Sequence, residues 1–299
     1  MMHGNRIETE GLTKHYGSRV GIEGLSLSVS GGSIFGFLGP NGAGKTTTIR
    51  ILLGFLRAAS GSAKVFGRDC WRESPEIRRR VGYLPGDLRL YPWMHGREAL
   101  RLASAAHGFD VDARGSELLD YFELDPTVRV RSMSRGMRQK LGLVLALAHD
   151  PEALILDEPT TGLDPLTQGR LYARLRELAS RGRVIFFSSH VLSEVEDLCD
   201  RVAILRAGHL VADETLDALR QRAGRAVTFR WQKGEGEDID RVPGFLEVHE
   251  KRADVWDCGL LGPVSELLEW LRDKPVRDLS VAPPDLDTLF RRYYEDREP

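Results

Sequence analysis

Gly39-Pro40-Asn41-Gly42-Ala43-Gly44-Lys45-Thr46 decides how the rest of the chain is read. The eight residues fit G-x-x-x-x-G-K-[S/T]. An apolar run, Ser33 to Leu38, comes before them and a helical run, Thr47 to Leu53, comes after. Glycines let the backbone turn tightly and bring N–H groups against phosphate oxygens. The helix N-terminus adds partial positive charge at the same point. Lys45 can reach the β- and γ-phosphates, and the Thr46 hydroxyl can ligate Mg²⁺. A glycine-rich turn can match this pattern by accident, but a strand before it and a helix after it argue for nucleotide binding.

A second stretch has the complementary chemistry. Ala153-Leu154-Ile155-Leu156-Asp157-Glu158 reads as an apolar strand ending in two carboxylates. Placed beside the strand of the phosphate loop, it would bring Asp157 to the metal, directly or through water. Glu158, one residue further, can accept a proton from an attacking water or orient it. One acid at a strand end is commonly just solvated; two beside a phosphate loop are a candidate site.

These two motifs fit many P-loop NTPases, and three more narrow the choice. Ser134-Arg135-Gly136-Met137-Arg138-Gln139-Lys140 opens a helix just ahead of the acidic strand and resembles the ABC signature, usually L-S-G-G-Q. Thr161-Gly162-Leu163-Asp164-Pro165 resembles the D-loop of that family, and Ser188-Ser189-His190 resembles its switch-histidine segment. Tyr16 stands where the family stacks a ring on adenine. The resemblance runs from about residue 6 to residue 215.

The resemblance implies an α/β fold: a P-loop NTPase ABC-type cassette with a RecA-like parallel sheet core, an antiparallel β subdomain and a helical subdomain. It implies ATP with Mg²⁺, held by the residues from Gly39 to Thr47, with Thr46 and Asp157 at the metal. Glu158, His190 and Lys45 are then the catalytic groups. Partners would be a second copy of the chain or a homologous cassette, paired head to tail. Ser134 and Gly136 would contact the γ-phosphate across that pair, and Asp164 would couple the two sites.

Two departures stand out. The signature carries Arg135 at its first glycine and Met137 at its glutamine, while Ser134 and Gly136 remain. Val81-Gly82-Tyr83-Leu84-Pro85 resembles the lead-in to the Q-loop, but Gly86 followed by Asp87 stands where a glutamine normally helps ligate Mg²⁺. Asp87 substitutes, or water completes the shell, or coupling to the membrane differs.

Further along, Val184 to Phe187 is a strand, and Met137 to Ala148 and Leu166 to Ser180 are helices. Short apolar strands alternating with helices predict a mostly parallel sheet. Residues 1–222 form the cassette, with its helical subdomain over about 88–150. Residues 223–299 form a small α+β accessory domain. In it, strands are predicted at Ala226 to Trp231 and Val276 to Val281, and a hairpin from Phe245 to His249 and Asp254 to Cys258. A polar loop at 233–238, a helix from Val264 to Arg272 and a last helix from Asp285 to Glu295 complete it.

Composition bounds the rest. Forty-two basic and 44 acidic residues give a net charge of −2, so nothing global points to nucleic acid. Arg78-Arg79-Arg80 reads as a solvated helix face. Cys70, Cys199 and Cys258 are widely spaced, none in a C-x-x-C pair, and read as free thiols in a reducing compartment. The N-terminus lacks the apolar core of a signal peptide, and the densest apolar stretch, Leu141 to Ala148, is too short to span a bilayer. The expectation is a cytoplasmic protein, peripheral on the inner face of the plasma membrane through its partner.

The Tyr83 to Leu88 and signature variants, with the segment ending Arg291-Arg292-Tyr293-Tyr294, resemble ATPases of ABC-2-type drug exporters. The implied partner is a separate membrane-spanning permease. Tyr91, Pro92, Trp93 and Met94 form an apolar cluster that is either a groove for a permease helix or local core. The alternatives are a non-transport ATPase or a nucleotide-gated regulator. One uninterrupted cassette without a heptad run disfavours the first; Gly86 is the only support for the second.

Overall fold

The first secondary structure is a pair of long antiparallel strands, β1 (Asn5–Tyr16) and β2 (Arg19–Ser30). The computed structural model describes residues 5–107, 112–232, 242–252 and 254–284, together with Leu286 and Phe290. In chain order there follow β3 (Ile34–Leu38), α1 (Lys45–Leu52), β4 (Ser60–Val65), β5 (Arg68–Asp69), α2 (Ser74–Arg80) and β6 (Val81–Leu84). Helices α3 (Gly96–His107), α4 (Asp112–Tyr121) and α5 (Arg135–Leu147) all lie within residues 88–150. Next come β7 (Ala153–Asp157), α6 (Pro165–Ser180), β8 (Val184–Ser189), α7 (Leu192–Leu198), β9 (Arg201–Arg206) and β10 (His209–Thr215).

β3, β7 and β8 are buried along their whole length, which is why they read as unbroken apolar runs rather than alternating ones. They lie inside a six-stranded sheet of order β10-β9-β3-β8-β7-β6, whose members from β9 to β6 pair in parallel. β8 stands between β3 and β7, so the acidic strand is one place removed from the phosphate-loop strand rather than beside it. A second, antiparallel sheet runs β2-β1-β4-β5.

One core joins the two sheets across α1. It contains Ile7, Leu12 and Ile22 of the antiparallel sheet, Ile49 and Leu52 of α1, and Phe35, Phe37 and Phe186 of the parallel sheet. The Phe186 ring lies 5.6 Å from Phe35 and 4.9 Å from Phe37. Truncating one such ring costs on the order of 3–5 kcal/mol. The helix that follows the phosphate loop is thus clamped on two sides. Pro165 at the start of α6, with Asp164 capping it, and Ser134 capping α5 fix where those helices begin.

The chain divides into two compact units, Met1–Asp213 and Glu214–Pro299. The second holds α8 (Leu216–Ala223), β11 (Arg225–Trp231), β12 (Leu246–Arg252), β13 (Val255–Leu260), α9 (Val264–Leu271) and β14 (Val276–Pro284). Its antiparallel sheet has the order β12-β13-β11-β14. Val227, Phe229 and Trp231 of β11 alternate into a core with Trp256, Cys258 and Leu267. The predicted loop at 233–238 lies outside the described residues. Of the predicted last helix only Leu286 and Phe290 are described, both helical and buried.

Candidate functional site

The turn between β3 and α1 is shaped by close backbone approach. Gly44 has φ +111, and a Cβ there would fall 2.5 Å from the Gly21 carbonyl oxygen on β2. Only glycine fits that position. α1 begins at Lys45, two residues earlier than its periodicity predicts, and no side chain caps its N-terminus. Uncapped helix N–H groups are ready donors for an anion.

Lys45 is buried. Its Nζ donates to the carbonyls of Gly39 at 2.6 Å and Pro40 at 3.2 Å, and lies 3.7 Å from Glu158 Oε1. Burial pulls its pKa below the ordinary lysine value, while Glu158 and Asp157 work against that shift. His190 Nδ1 meets the same Glu158 Oε1 at 3.1 Å. Glu158 itself has φ +51, a left-handed backbone that a glutamate adopts only under constraint. Its N–H donates to Ser188 O at 3.0 Å, which holds the turn. A carboxylate held between a cation and an imidazole, just past a strand end, is poised to take a proton from water.

Asp157 is 2% exposed and both its oxygens are engaged. Thr46 Oγ1 donates to Oδ2 at 2.8 Å and Ser188 Oγ donates to Oδ1 at 2.7 Å. Thr46 and Asp157 thus present two hard oxygen donors together. Among the described residues no group of three or more His, Cys, Asp or Glu side chains is placed to hold a metal ion. That donor set suits Mg²⁺, which takes one or two protein oxygens and completes its shell with water and substrate phosphates.

A cleft of about 370 Å³ is lined by Tyr16, Arg19, Asn41, Lys45, Thr47 and Glu158, among others. A neighbouring cleft of about 650 Å³ is lined by Thr46, Arg50, Tyr83, Gly86, Asp87 and Asp157 among others. A Cβ on Gly86 would stand 3.4 Å from Asp157 Oδ2, so residue 86 faces the candidate metal position. Asp87 is turned outward to Arg89, with which it pairs at 2.8 Å. Burial, with Asp157 nearby, pushes the Tyr83 phenol up to about 12, so it stays neutral.

Tyr16, the loop from Gly39 to Thr47, Asp157, Glu158 and His190 are therefore gathered at one place. Ser134, Gly136 and Asp164 are absent from the lining of both clefts. Ser134 Oγ accepts the Met137 N–H at 3.1 Å, and Asp164 accepts the Thr167 N–H at 2.9 Å. A Cβ on Gly136 would lie 2.6 Å from Gly162 O, so the head of α5 rests directly on the turn before α6. Gln139 Nε2 donates to the carbonyls of Glu158 at 3.2 Å and Pro159 at 3.0 Å. Ser188 and Gln139 had no assigned role in the sequence, because a lone serine or glutamine has no distinguishing spacing.

The ABC transporter family profile matches residues 22–161. The bacitracin transport ATP-binding protein of Bacillus licheniformis is 40% identical over 75% of this chain and 74% of its own length. Nod factor export ATP-binding protein I of Burkholderia orbicola is 33% identical over 96% of each chain. A solved ATP-binding subunit of an ABC transporter, 32% identical, superposes with a TM-score of 0.68 over 73% of this chain and 92% of that one.

Proposed function

The chain belongs to the ABC transporter family as an ATP-binding subunit, and we propose that it hydrolyses ATP to power an ABC-2-type membrane exporter. The observation that carries this reading is the Glu158 carboxylate set between Lys45 and His190 beside the phosphate loop. The transport and export named for the two relatives support the direction. No helix among the described residues is long and apolar enough to cross a membrane, so the permease is a separate subunit in this reading. The chain works at the cytoplasmic face, where that subunit brings it.

In the proposed cycle ATP enters against the α1 N-terminus, with Tyr16 beneath the adenine. Ser134 and Gly136 of a second cassette close over the γ-phosphate, head to tail, which accounts for their place outside the clefts. Glu158 accepts the proton of the attacking water, and His190 holds that carboxylate and the water in line. Lys45 takes up negative charge as it develops on the phosphate oxygens. Thr46 and Asp157 would hold Mg²⁺, which when bound neutralises phosphate charge. Asp164 links the two sites, and residues 223–299 support the pair or regulate it.

Tyr91 and Trp93 are 59% and 63% exposed, with rings stacked at 5.7 Å, while Met94 beside them is buried. Exposure of the two rings favours their use as a grip for the permease over local core.

The test is ATP turnover by wild type and Glu158→Gln, with oligomeric state read alongside. Turnover lost in the variant together with an ATP-dependent dimer is the expected result. A monomeric Glu158→Gln protein at saturating ATP would overturn the reading. Gly86 supports a second reading, ATP binding without steady turnover, and hydrolysis measured in the assembled membrane complex separates the two.

A further inference from the structure

One buried polar side chain beside the site has no part in the cycle proposed above. Gln139 stands in the second turn of α5 and is 7% exposed. Its Nε2 donates to Glu158 O at 3.2 Å and to Pro159 O at 3.0 Å. Both partners are carbonyls, so the amide nitrogen, not its oxygen, must face the turn. α5 is firmly seated under this contact. A Cβ on Gly142 would fall 2.6 Å from Leu84 Cδ1 and 2.5 Å from Leu88 Cδ2, which leaves the helix no room to slide inward.

Gln139 grips a conformation more than a residue. Successive carbonyls of an extended strand point to opposite sides, out of reach of a single amide nitrogen. β7 ends at Asp157, and at Glu158 the backbone turns left-handed, φ +51. That bend brings two consecutive carbonyls to one donor. Two other bonds tie the turn: Glu158 N–H donates to Ser188 O at 3.0 Å, and Thr161 N–H donates to Glu158 O at 3.3 Å. Neither holds Pro159, whose nitrogen has no hydrogen to give. A left-handed glutamate persists only where its surroundings over-determine it, and Gln139 supplies the tie on that side. From this bent backbone the Glu158 carboxylate lies 3.7 Å from Lys45 Nζ and 3.1 Å from His190 Nδ1.

We propose that Gln139 is a positioning residue for Glu158, its amide bridge holding the bent peptide and, through it, the carboxylate in line with the attacking water. Gln139 is absent from the lining of both clefts, so it acts through Glu158 and not on the nucleotide. The inference rests on the reading of Glu158 as the proton acceptor.

The test is steady-state ATP turnover by the full chain carrying Gln139→Met, which keeps length and burial and removes both donors. A reacting group displaced by about 1 Å loses on the order of a hundredfold in rate, so kcat is expected to fall about 10- to 100-fold while KM for ATP stays within about twofold. In a Glu158→Gln background the same substitution lowers the residual rate no further, because the group it positions is already gone. Gln139→Lys returns a donor at similar reach and recovers most of the rate. Hydrogen exchange at the Thr161 amide quickens in Gln139→Met, and exchange along β7 does not. Wild-type kcat in Gln139→Met, a further loss in the double variant, or unchanged exchange at Thr161 each overturns the proposal. Wild-type turnover by Glu158→Gln alone refutes the role of Glu158 itself, and this inference with it.

Discussion

Ser188→Ala removes one hydroxyl from a fully buried position and takes away one of the two hydrogen bonds to Asp157. A hydrogen bond to a charged group is worth about 1.5–3 kcal/mol, and here the carboxylate left behind is 2% exposed and cannot turn to water. The expected destabilisation is about 2 kcal/mol. For a unit of this size that lowers the unfolding temperature by about 4–8 °C. Asp157 is also the carboxylate of the two proposed Mg²⁺ donors, and loosening it is expected to lower metal affinity by about tenfold. Calorimetry gives the first number and Mn²⁺ titration in the presence of ATP gives the second. Ser189→Ala is the control, because that hydroxyl pairs with Glu194 and receives the Val191 N–H instead. If Ser188→Ala unfolds within about 0.5 kcal/mol of wild type and binds metal equally well, the hydroxyl does not hold the carboxylate and the reasoning fails.

Gly86→Gln introduces a side chain facing Asp157, its first atom in ordinary van der Waals contact with Oδ2 at 3.4 Å, so it folds normally. It is expected to tighten Mn²⁺ binding by about tenfold, and an unchanged titration would show that residue 86 does not reach the metal. His149 is stacked on His107 at 4.1 Å, and burial, then the His107 charge, lower its pKa to about 4. The unfolded chain binds that proton near pH 6.5 and the folded chain does not, so stability holds above 6.5 and falls as pH drops towards 4. The whole loss is on the order of 3 kcal/mol. His149→Phe keeps the stack and should flatten the profile between those values in urea denaturation, with a residue from His107; an unchanged profile counts against the assignment. Trp93→Ala should weaken co-purification with the permease and leave ATP affinity intact, and unaltered assembly would remove Trp93 from that interface.

The phosphate loop was legible because its chemistry is local: glycine spacing, lysine and threonine sit within eight residues, between a strand and a helix. The pairing of Glu158 with His190 and Lys45 was implied only by the family resemblance, since residues that far apart meet through strand order. Strand order is also where the reading from sequence slipped. Apolar runs such as Ala153 to Leu156 announce burial but not their neighbour, and β8 was not expected between β3 and β7. The strand pair β1–β2 was less visible still. Its register shifts break strict alternation, as between Thr9 and Leu12, and periodicity is the signal a sequence offers. Helix ends moved by one or two residues because a cap such as Ser134 or Asp164 sets the start, and the apolar pattern begins after it.

The head of α5 and the turn before α6 meet without a gap: a Cβ on Gly136 would lie 2.6 Å from Gly162 O, and one on Gly162 would lie 3.2 Å from the Arg135 side chain. Packed matter at that density does not compress, so the two segments travel together with no slack. In the proposed head-to-tail pair one of them reaches the partner's phosphate and the other carries Asp164. A shift at either catalytic centre is then passed to its counterpart within the same displacement, and alternation needs no dedicated messenger. A bulkier residue at either glycine would leave each half able to hold ATP but would desynchronise the two.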